Sequence, residues 1–156
     1  MSIIGCYAPS NDSREERKDE YYEELQSVVD ENPDRDIKIE IGDFNTKVGR
    51  NNQGVENLMG VDGLGEVGNE YGSYFISFCL ASNLVNGGIL FQQKDIHKYT
   101  STSQYGNYKN QLDHIAINKK SRTLGIVRSY GGAHIGSDHQ LVTATLKLKL
   151  KDLTKM

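Results

Sequence analysis

Cysteine is scarce in this chain, with two residues among 156. Cys6 and Cys79 lie in apolar surroundings and lack the spacing of a metal site. We therefore predict reduced, buried thiols in an intracellular protein. Long hydrophobic runs are also lacking, since no stretch approaches the roughly 18 apolar residues of a membrane span. The chain does not open on a signal peptide either, and we predict no association with a membrane.

The length and composition are typical of a globular domain. The chain is 37% hydrophobic and 25% charged, and its 156 residues are enough to bury a core. No internal repeat and no low-complexity tract divides the sequence. We therefore predict a single domain over residues 1–156.

Charge is distributed unevenly, although the net charge is only -3. Residues 10–36 contain eleven acids and four bases, whereas residues 94–156 contain four acids and eleven bases. The basic part is suited to a polyanion such as DNA. The alternative is that its lysines form the solvent face of the last strand, because Lys147 and Lys149 alternate with leucines.

The stretch 37–45 combines a strand pattern with polar residues at its end. Three isoleucines alternate with Lys38 and Glu40, which predicts a half-buried strand. Asp43 and Asn45 follow, where ligands bind at the carboxyl ends of strands in open α/β sheets. An acid and an amide there suit a metal ion and a phosphate. The alternative is a strand that simply ends in a polar turn.

The remaining pattern predicts alternating strands and helices. A strand over residues 2–7, a helix over 13–31 and the strand from Ile37 imply a βαβ arrangement. Asp12 or Ser13 is expected to cap this helix. Its predicted buried stripe consists of Tyr21, Tyr22, Leu25, Val28 and Val29. Further along we predict a long loop over 46–70, a helix over 71–84, a polar turn over 101–110, a flexible loop over 131–136, and strands over 90–93, 112–117, 126–130 and 141–150.

Several polar side chains fall at the predicted strand boundaries. Asp113 is a suitable partner for His139 if their strands are neighbours, because a carboxylate can fix the tautomer of an imidazole. Asp138 is poorly placed to orient His139, since adjacent residues of a strand point to opposite faces. Asp138 is freer to approach a metal. Taken singly, each of these clusters is better explained by a structural role, and their occurrence together in this order favours a functional one.

Five stretches of the chain carry a family resemblance: Cys6–Pro9, Gly42–Asn45, His97–Thr100, Asn110–Ile115 and Ile135–His139. They resemble the endonuclease/exonuclease/phosphatase superfamily, which has the deoxyribonuclease-I-like fold. The closer resemblance is to the endonuclease part of non-LTR retrotransposon proteins and to craniofacial development protein 2-like sequences. The resemblance implies an α/β fold, a two-sheet sandwich with helices outside.

The resemblance also implies substrate contacts. Tyr7 would contact the scissile phosphate. Asn45 would orient both this phosphate and the attacking water. Thr100 would be a further phosphate contact. The substrate implied for the family's retrotransposon members is DNA.

For catalysis, the resemblance implies a metal-dependent hydrolysis. Asp43 would activate the attacking water or protonate the leaving oxygen. Asp113 would orient His139, which would stabilise negative charge on the phosphoryl group. Asp138 would lie next to the metal site, which the family fills with Mg²⁺ or Mn²⁺.

Two departures from the family pattern affect these expectations. The family's N-terminal strands, which carry a metal-binding Glu, have no counterpart here, and we expect uncovered sheet edges that a homodimer or a partner chain would cover. Ser101 stands where close relatives often have an aromatic residue. The leading hypothesis is metal-dependent hydrolysis of DNA, with a nuclear location if the substrate is chromosomal. The alternatives are a catalytically defective remnant that binds nucleic acid or a protein and, last, a relative acting on small phosphoesters.

Overall fold

A four-stranded sheet lies at the centre of the structure, a computed structural model that describes residues 1–66, 68–87, 92–103, 105–121, 123–132 and 136–149. Within these ranges, three helices and four shorter or outer strands surround it. The elements in chain order are β1 (Ser2–Tyr7), α1 (Glu15–Asp30), β2 (Lys38–Asp43), α2 (Glu56–Met59), α3 (Glu70–Ser82), β3 (Leu84–Asn86), a 3-10 turn (Asp95–His97), β4 (Ser101–Thr102), β5 (Lys109–Asn110), β6 (Asp113–Asn118), β7 (Leu124–Tyr130) and β8 (Leu141–Leu146).

The central sheet has the strand order β1-β2-β6-β3. β1 and β2 are parallel and joined through α1, which confirms the predicted βαβ arrangement. β6 runs antiparallel to both β2 and β3. In this register Tyr7 pairs with Asp43, and Asp43 pairs with Asp113. The three polar residues therefore form one row across the end of three neighbouring strands.

Both faces of the central sheet are covered. Residues of α1 and α3 form one core cluster with the sheet, in which Phe44 and Phe75 are fully buried. On the opposite face, Ile39 and Ile117 pack against Val127 of the separate β7–β8 hairpin. This layering, with helices on one face of the central sheet and the β7–β8 hairpin on the other, confirms the predicted α/β class.

The two-sided cover changes the expected burial of β2. Lys38 and Glu40 alternate with isoleucines in the sequence, yet they are only 5% and 0% exposed, whereas Ile41 is 37% exposed. The half-buried interpretation is therefore wrong for this strand. The physical reason is that α1 and α3 pack on the face of the sheet that carries Lys38 and Glu40, so these polar positions face the helices and not solvent.

The first helix differs from its prediction at both the cap and the buried stripe. Among the described residues, no side chain caps α1, whose N-cap residue is Arg14. The Ser10 hydroxyl instead donates to Asp12 at 2.5 Å, so these side chains stabilise the preceding turn. In the predicted stripe Tyr22, Leu25 and Val29 are buried, Tyr21 is partly buried and Val28 is 40% exposed.

The later segments were predicted unevenly. The predicted loop over 46–70 contains the short helix α2, whose Leu58 and Met59 are buried. The predicted helix over 71–84 is confirmed as α3, but Leu84 belongs to β3, which the sequence analysis missed. Of the predicted strand 90–93, residues 90 and 91 lie outside the described part, and Gln92 and Gln93 are not in a strand.

Towards the C-terminus, the polar turn predicted over 101–110 contains the β4–β5 hairpin. The strands predicted over 112–117 and 126–130 are confirmed as β6 and β7. The last strand ends at Leu146, so Lys147 and Lys149 lie beyond it and do not form a strand face. Residues 133–135 of the predicted flexible loop, and residues 150–156, lie outside the described part.

One edge of the central sheet is uncovered in the part of the chain that the structure describes. β1 pairs only with β2, and its Ile3 and Tyr7 are 62% and 80% exposed. Cover of this edge by a second copy or a partner chain stays a prediction, which sedimentation velocity would test. Within the described residues, no helix combines the length and apolarity needed to cross a membrane. Cys6 and Cys79 are free and buried, as predicted.

Candidate active site

The site begins with a close approach between β1 and β2. Gly42 has φ of 151°, and a Cβ atom at this position would lie 1.9 Å from the carbonyl oxygen of Cys6. Only glycine accommodates both the backbone angle and the contact. The glycine thus lets β2 run beside β1 to its end, where Asp43 lies next to Tyr7.

His139 lies between two carboxylates at this sheet end. Its Nδ1 is 2.8 Å from Oδ2 of Asp113, a hydrogen-bond distance, and its Nε2 is 3.6 Å from Oδ2 of Asp43. An isolated antiparallel β-bridge, formed by backbone hydrogen bonding between Ser101 and His139, fixes the backbone of His139 beside β4. Because Asp113 holds Nδ1, Nε2 of the imidazole faces Asp43. The distance of 3.6 Å from Nε2 to Oδ2 of Asp43 is too long for a hydrogen bond, so Nε2 can bond to another oxygen.

The charges around this histidine shift its acid–base behaviour. Partial burial lowers the pKa of His139, but the hydrogen bond to Asp113 and the charges of Asp113, Asp43 and Asp138 outweigh it, so that its pKa is raised. The pKa of Asp43 is also raised, mainly by burial. The amide of Asn45 opposes this shift, whereas the charges of Asp113 and Asp138 add to it. Asp43 is therefore a better proton acceptor than an exposed aspartate.

Asn45 ties the site loop to β1. It adopts a left-handed backbone with φ of 49°, which asparagine tolerates better than most residues. Its backbone amide donates to Oδ1 of Asp43 at 2.8 Å, and its side-chain Nδ2 donates to the carbonyl of Ala8 at 2.8 Å. The side chain is therefore held beside the end of β1, and contact of Asn45 with water or phosphate stays a prediction.

Thr100 lies beneath the cluster and supports Asp113. Its side-chain oxygen accepts from the backbone amides of Leu112 at 2.9 Å and Asp113 at 3.1 Å. The residue is only 3% exposed. These bonds fix the start of β6 and so the position of the Asp113 carboxylate. A direct phosphate contact by Thr100 stays a prediction.

Asp138 is brought close to the cluster without joining it. Its carbonyl accepts from the amide of Thr102 at 2.9 Å, and the residue is exposed. Its charge raises the pKa values of both Asp43 and His139. The predicted position next to a metal remains a prediction.

The donor set at the sheet end has the composition of a divalent-cation site. Ligand atoms of Asp43, Asp113 and His139 all lie within 4.8 Å of one another. Two carboxylates supply the hard oxygens that Mg²⁺ or Mn²⁺ prefer, while His139 is engaged by Asp113. The chemistry of this set therefore fits a partly hydrated divalent cation held by the two carboxylates.

A buried polar network behind the site was missed from the sequence. His114 is 1% exposed and stacks on Phe75 at 5.1 Å between ring centroids. Its Nε2 is 2.7 Å from the carbonyl oxygen of Thr46, and its Nδ1 is 3.1 Å from Nδ2 of Asn86. Burial lowers the pKa of His114, so the ring is neutral and supports the segment that follows Asn45. The alternation of side chains along β6 could have indicated this network, because it places His114 on the face of the sheet opposite to that of Asp113.

Solved structures share this arrangement of strands and helices. The 3′ phosphatase NExo from Neisseria, bound to a product DNA hairpin, matches with a TM-score of 0.64 and 18% identity, over 94% of this chain and 61% of that chain. The endonuclease domain of TRAS1, a telomere-specific non-LTR retrotransposon, matches with a TM-score of 0.61 and 17% identity, over 92% and 57%. An endonuclease/exonuclease/phosphatase family protein from Leptotrichia buccalis matches with a TM-score of 0.56 and 15% identity, over 94% and 48%.

The chain shares the fold of these three solved structures. No family sequence model matches it. By sequence, the chain is similar to craniofacial development protein 2 of Bos taurus, at 37% identity over 99% of this chain and 26% of the relative. The protein of the same name from Tragulus javanicus is 36% identical, over 99% and 27%. The chain thus spans about a quarter of the length of these curated relatives.

Proposed function

We propose that the chain hydrolyses phosphodiester bonds of DNA in a metal-dependent reaction, as an endonuclease of the retrotransposon type. The observation that carries the proposal is the position of His139 between Asp113 and Asp43, at 2.8 and 3.6 Å, at the end of the sheet where Tyr7 also lies. The similarity in fold between this chain and the TRAS1 endonuclease domain supports an endonuclease of the retrotransposon type.

The side chains divide the chemistry between them. Asp43, which lies 3.6 Å from Nε2 of His139, takes a proton from a water molecule that attacks phosphorus in line with the leaving oxygen. The bond from phosphorus to the leaving oxygen breaks as the new bond forms, and the leaving oxygen then takes up a proton. Asp113 holds Nδ1 of His139, so the imidazole can stabilise charge on a phosphoryl oxygen through Nε2.

Asp43 and Asp113 would hold the divalent cation, with Asp138 at its edge. When bound, Mg²⁺ or Mn²⁺ stabilises negative charge on the phosphoryl oxygens. Tyr7 is 80% exposed at the same strand end, so its hydroxyl is available to donate to the phosphate. The negative charges of Asp113 and Asp138, which help to raise the pKa of Asp43, also favour a cation at this place electrostatically.

A plasmid-nicking assay tests the proposal. We expect nicking with Mg²⁺ or Mn²⁺, its loss on chelation, and a loss of about 100-fold or more in Asp43→Asn because the general base is removed. Asp62→Asn removes an acid that belongs to no part of the cluster and should retain activity. No nicking by the folded chain would refute the enzymatic proposal. If salt-sensitive DNA binding persisted, the non-enzymatic alternative would take its place.

Two exposed aromatic residues offer a stacking surface for DNA bases, on the hairpin whose Ser101 is bridged to His139. Tyr105 and Tyr108, in the hairpin between β4 and β5, are 86% and 71% exposed. Replacing either by alanine is expected to weaken single-stranded DNA binding by about 1–3 kcal/mol, because a base stacks on each ring. Fluorescence anisotropy at fixed salt measures this loss. Tyr130→Ala, at another exposed tyrosine, is the control, and an equal loss there would contradict the prediction.

The cellular location follows from the substrate. Chromosomal DNA as the substrate would require a nuclear location for the protein. Cell fractionation can test this expectation, and exclusion from the nucleus would contradict a chromosomal substrate.

A further inference from the structure

A groove between α1 and α3 lies on the helical side of the fold and includes none of the candidate active-site residues. Its volume is about 660 Å³. The residues that characterise it are Asp19, Tyr22 and Glu23 of α1 with Tyr74 and Phe78 of α3. Ser73 and Ser77 are small and exposed, which leaves the groove open to solvent on the α3 side.

Aromatic rings form the floor of this groove. Tyr22 is only 8% exposed, and its ring centroid lies 6.0 Å from that of Tyr74 with 21° between the ring planes. The ring of Phe78 is 5.7 Å from that of Tyr22. Such rings offer apolar area for a side chain, and their faces attract a cation.

Acidic residues stand beside these rings. Asp19 and Glu23 are four residues apart and so lie on the same side of α1. Asp19 also forms a hydrogen bond with the Tyr74 side chain, which places its charge against the aromatic floor. None of the described residues that line the groove is lysine or arginine.

The basic residues of α1 are directed elsewhere. Nζ of Lys18 donates to the carbonyl of Asn11 at 2.7 Å, and Arg17 lines a separate hollow near Tyr7. The helix as a whole contains seven acids and two bases. This charge repels nucleic acid and attracts a cationic partner.

We propose that the groove binds a lysine- or arginine-bearing amphipathic helix of a partner protein. A groove between two packed helices accepts a third helix, with apolar side chains on its floor and charged ones at its rim. Leucines of the partner would contact the ring of Tyr74 and the small exposed parts of Tyr22 and Phe78. Its cationic groups would pair with Asp19 and Glu23 and lie over the tyrosine rings.

The test uses a fluorescein-labelled leucine/lysine amphipathic peptide of about five helical turns, measured by anisotropy at low and physiological salt. We expect saturable binding by the intact chain and none by a peptide in which glutamate replaces lysine. Asp19→Lys/Glu23→Lys and Tyr74→Ala should each weaken binding about tenfold, because they remove charge pairing or aromatic contact. Glu20→Lys/Glu24→Lys changes the net charge equally on the other side of α1 and should alter binding by about twofold at most.

An equal loss of peptide affinity in Asp19→Lys/Glu23→Lys and Glu20→Lys/Glu24→Lys would overturn the proposal, because the attraction would then depend on net charge alone. Equal binding of the glutamate peptide, or no saturable binding of the lysine peptide, would also overturn it. So would self-association that Tyr74→Ala abolishes while peptide binding is unchanged, since the groove would then accept a second copy. Ser77→Arg places a competing cation at an exposed position and should also weaken binding, which keeps the test decisive if Tyr74→Ala does not fold.

Discussion

His139→Ala is expected to lower the rate of DNA nicking by about 1,000-fold, because a preorganised charge-stabilising group is lost from the phosphate site. Asp113→Ala should lower it by about 100-fold, since the imidazole remains but loses the hydrogen bond at Nδ1. The 2.8 Å contact predicts that the two losses are not additive. Single-turnover nicking rates of both variants and of the double variant measure the coupling.

The double variant should be no slower than His139→Ala alone. His97→Ala is the matched control, because this histidine lies in the 3-10 turn outside the cluster and should leave the rate unchanged. If the two losses multiply instead, Asp113 acts independently of the imidazole. Its effect on the rate would then come mainly from holding the cation and not from orienting His139, and a shift in the Mg²⁺ concentration needed for half-maximal activity would show this.

Glu40 is expected to make the stability of the fold fall with rising pH. It is 0% exposed, and neither carboxylate oxygen has a hydrogen-bond partner in another described residue. Burial raises its pKa from 4.5 to about 7, although its own backbone amide and Lys38 offset part of the effect. Because the folded state holds this proton more tightly, stability is fully present below pH 4.5 and is lost as pH rises towards 7.

The loss across this window is about 3 kcal/mol for a shift of this size. Glu40→Gln keeps the side-chain shape and removes the titration, so the variant should gain about this amount relative to the parent between pH 4.5 and about pH 8. Urea unfolding at several pH values measures the difference. Glu24→Gln, at an exposed glutamate, should follow the parent curve. Parallel curves for Glu40→Gln and the parent would contradict the prediction, because they would show that this carboxyl has the same pKa in the folded and unfolded states.

The sequence was informative where local pattern and strand ends determine the structure. Tyr7, Asp43 and Asp113 were recognised because each ends or begins a strand, and the register brings all three together. The predicted pairing of Asp113 with His139, conditional on neighbouring strands, matches the 2.8 Å contact. The two residues do not lie on neighbouring strands, however. His139 is positioned by the backbone bridge to Ser101 of β4.

The sequence was less informative where distant layers decide the environment. Glu40 alternates with isoleucines as a solvent-facing residue does, but α1 and α3 cover its face of β2. β3 has only three residues, too few for periodicity to register, so the partner of His114 in Asn86 was missed. The Thr100 hydroxyl accepts hydrogen bonds from the backbone amides of Leu112 and Asp113. This arrangement depends on the geometry of the loop, which residue spacing does not reveal.

The row of Tyr7, Asp43 and Asp113 has a consequence for the tolerance of the site to mutation. Neighbouring strands lie about 4.8 Å apart, so backbone pairing sets a span of roughly 10 Å from the first residue of the row to the third. Main-chain hydrogen bonds between the strands therefore set the distances among these three residues. Substitutions of core side chains leave these hydrogen bonds in place. A proline in β2 would remove one of them and would move the carboxylates of Asp43 and Asp113 apart.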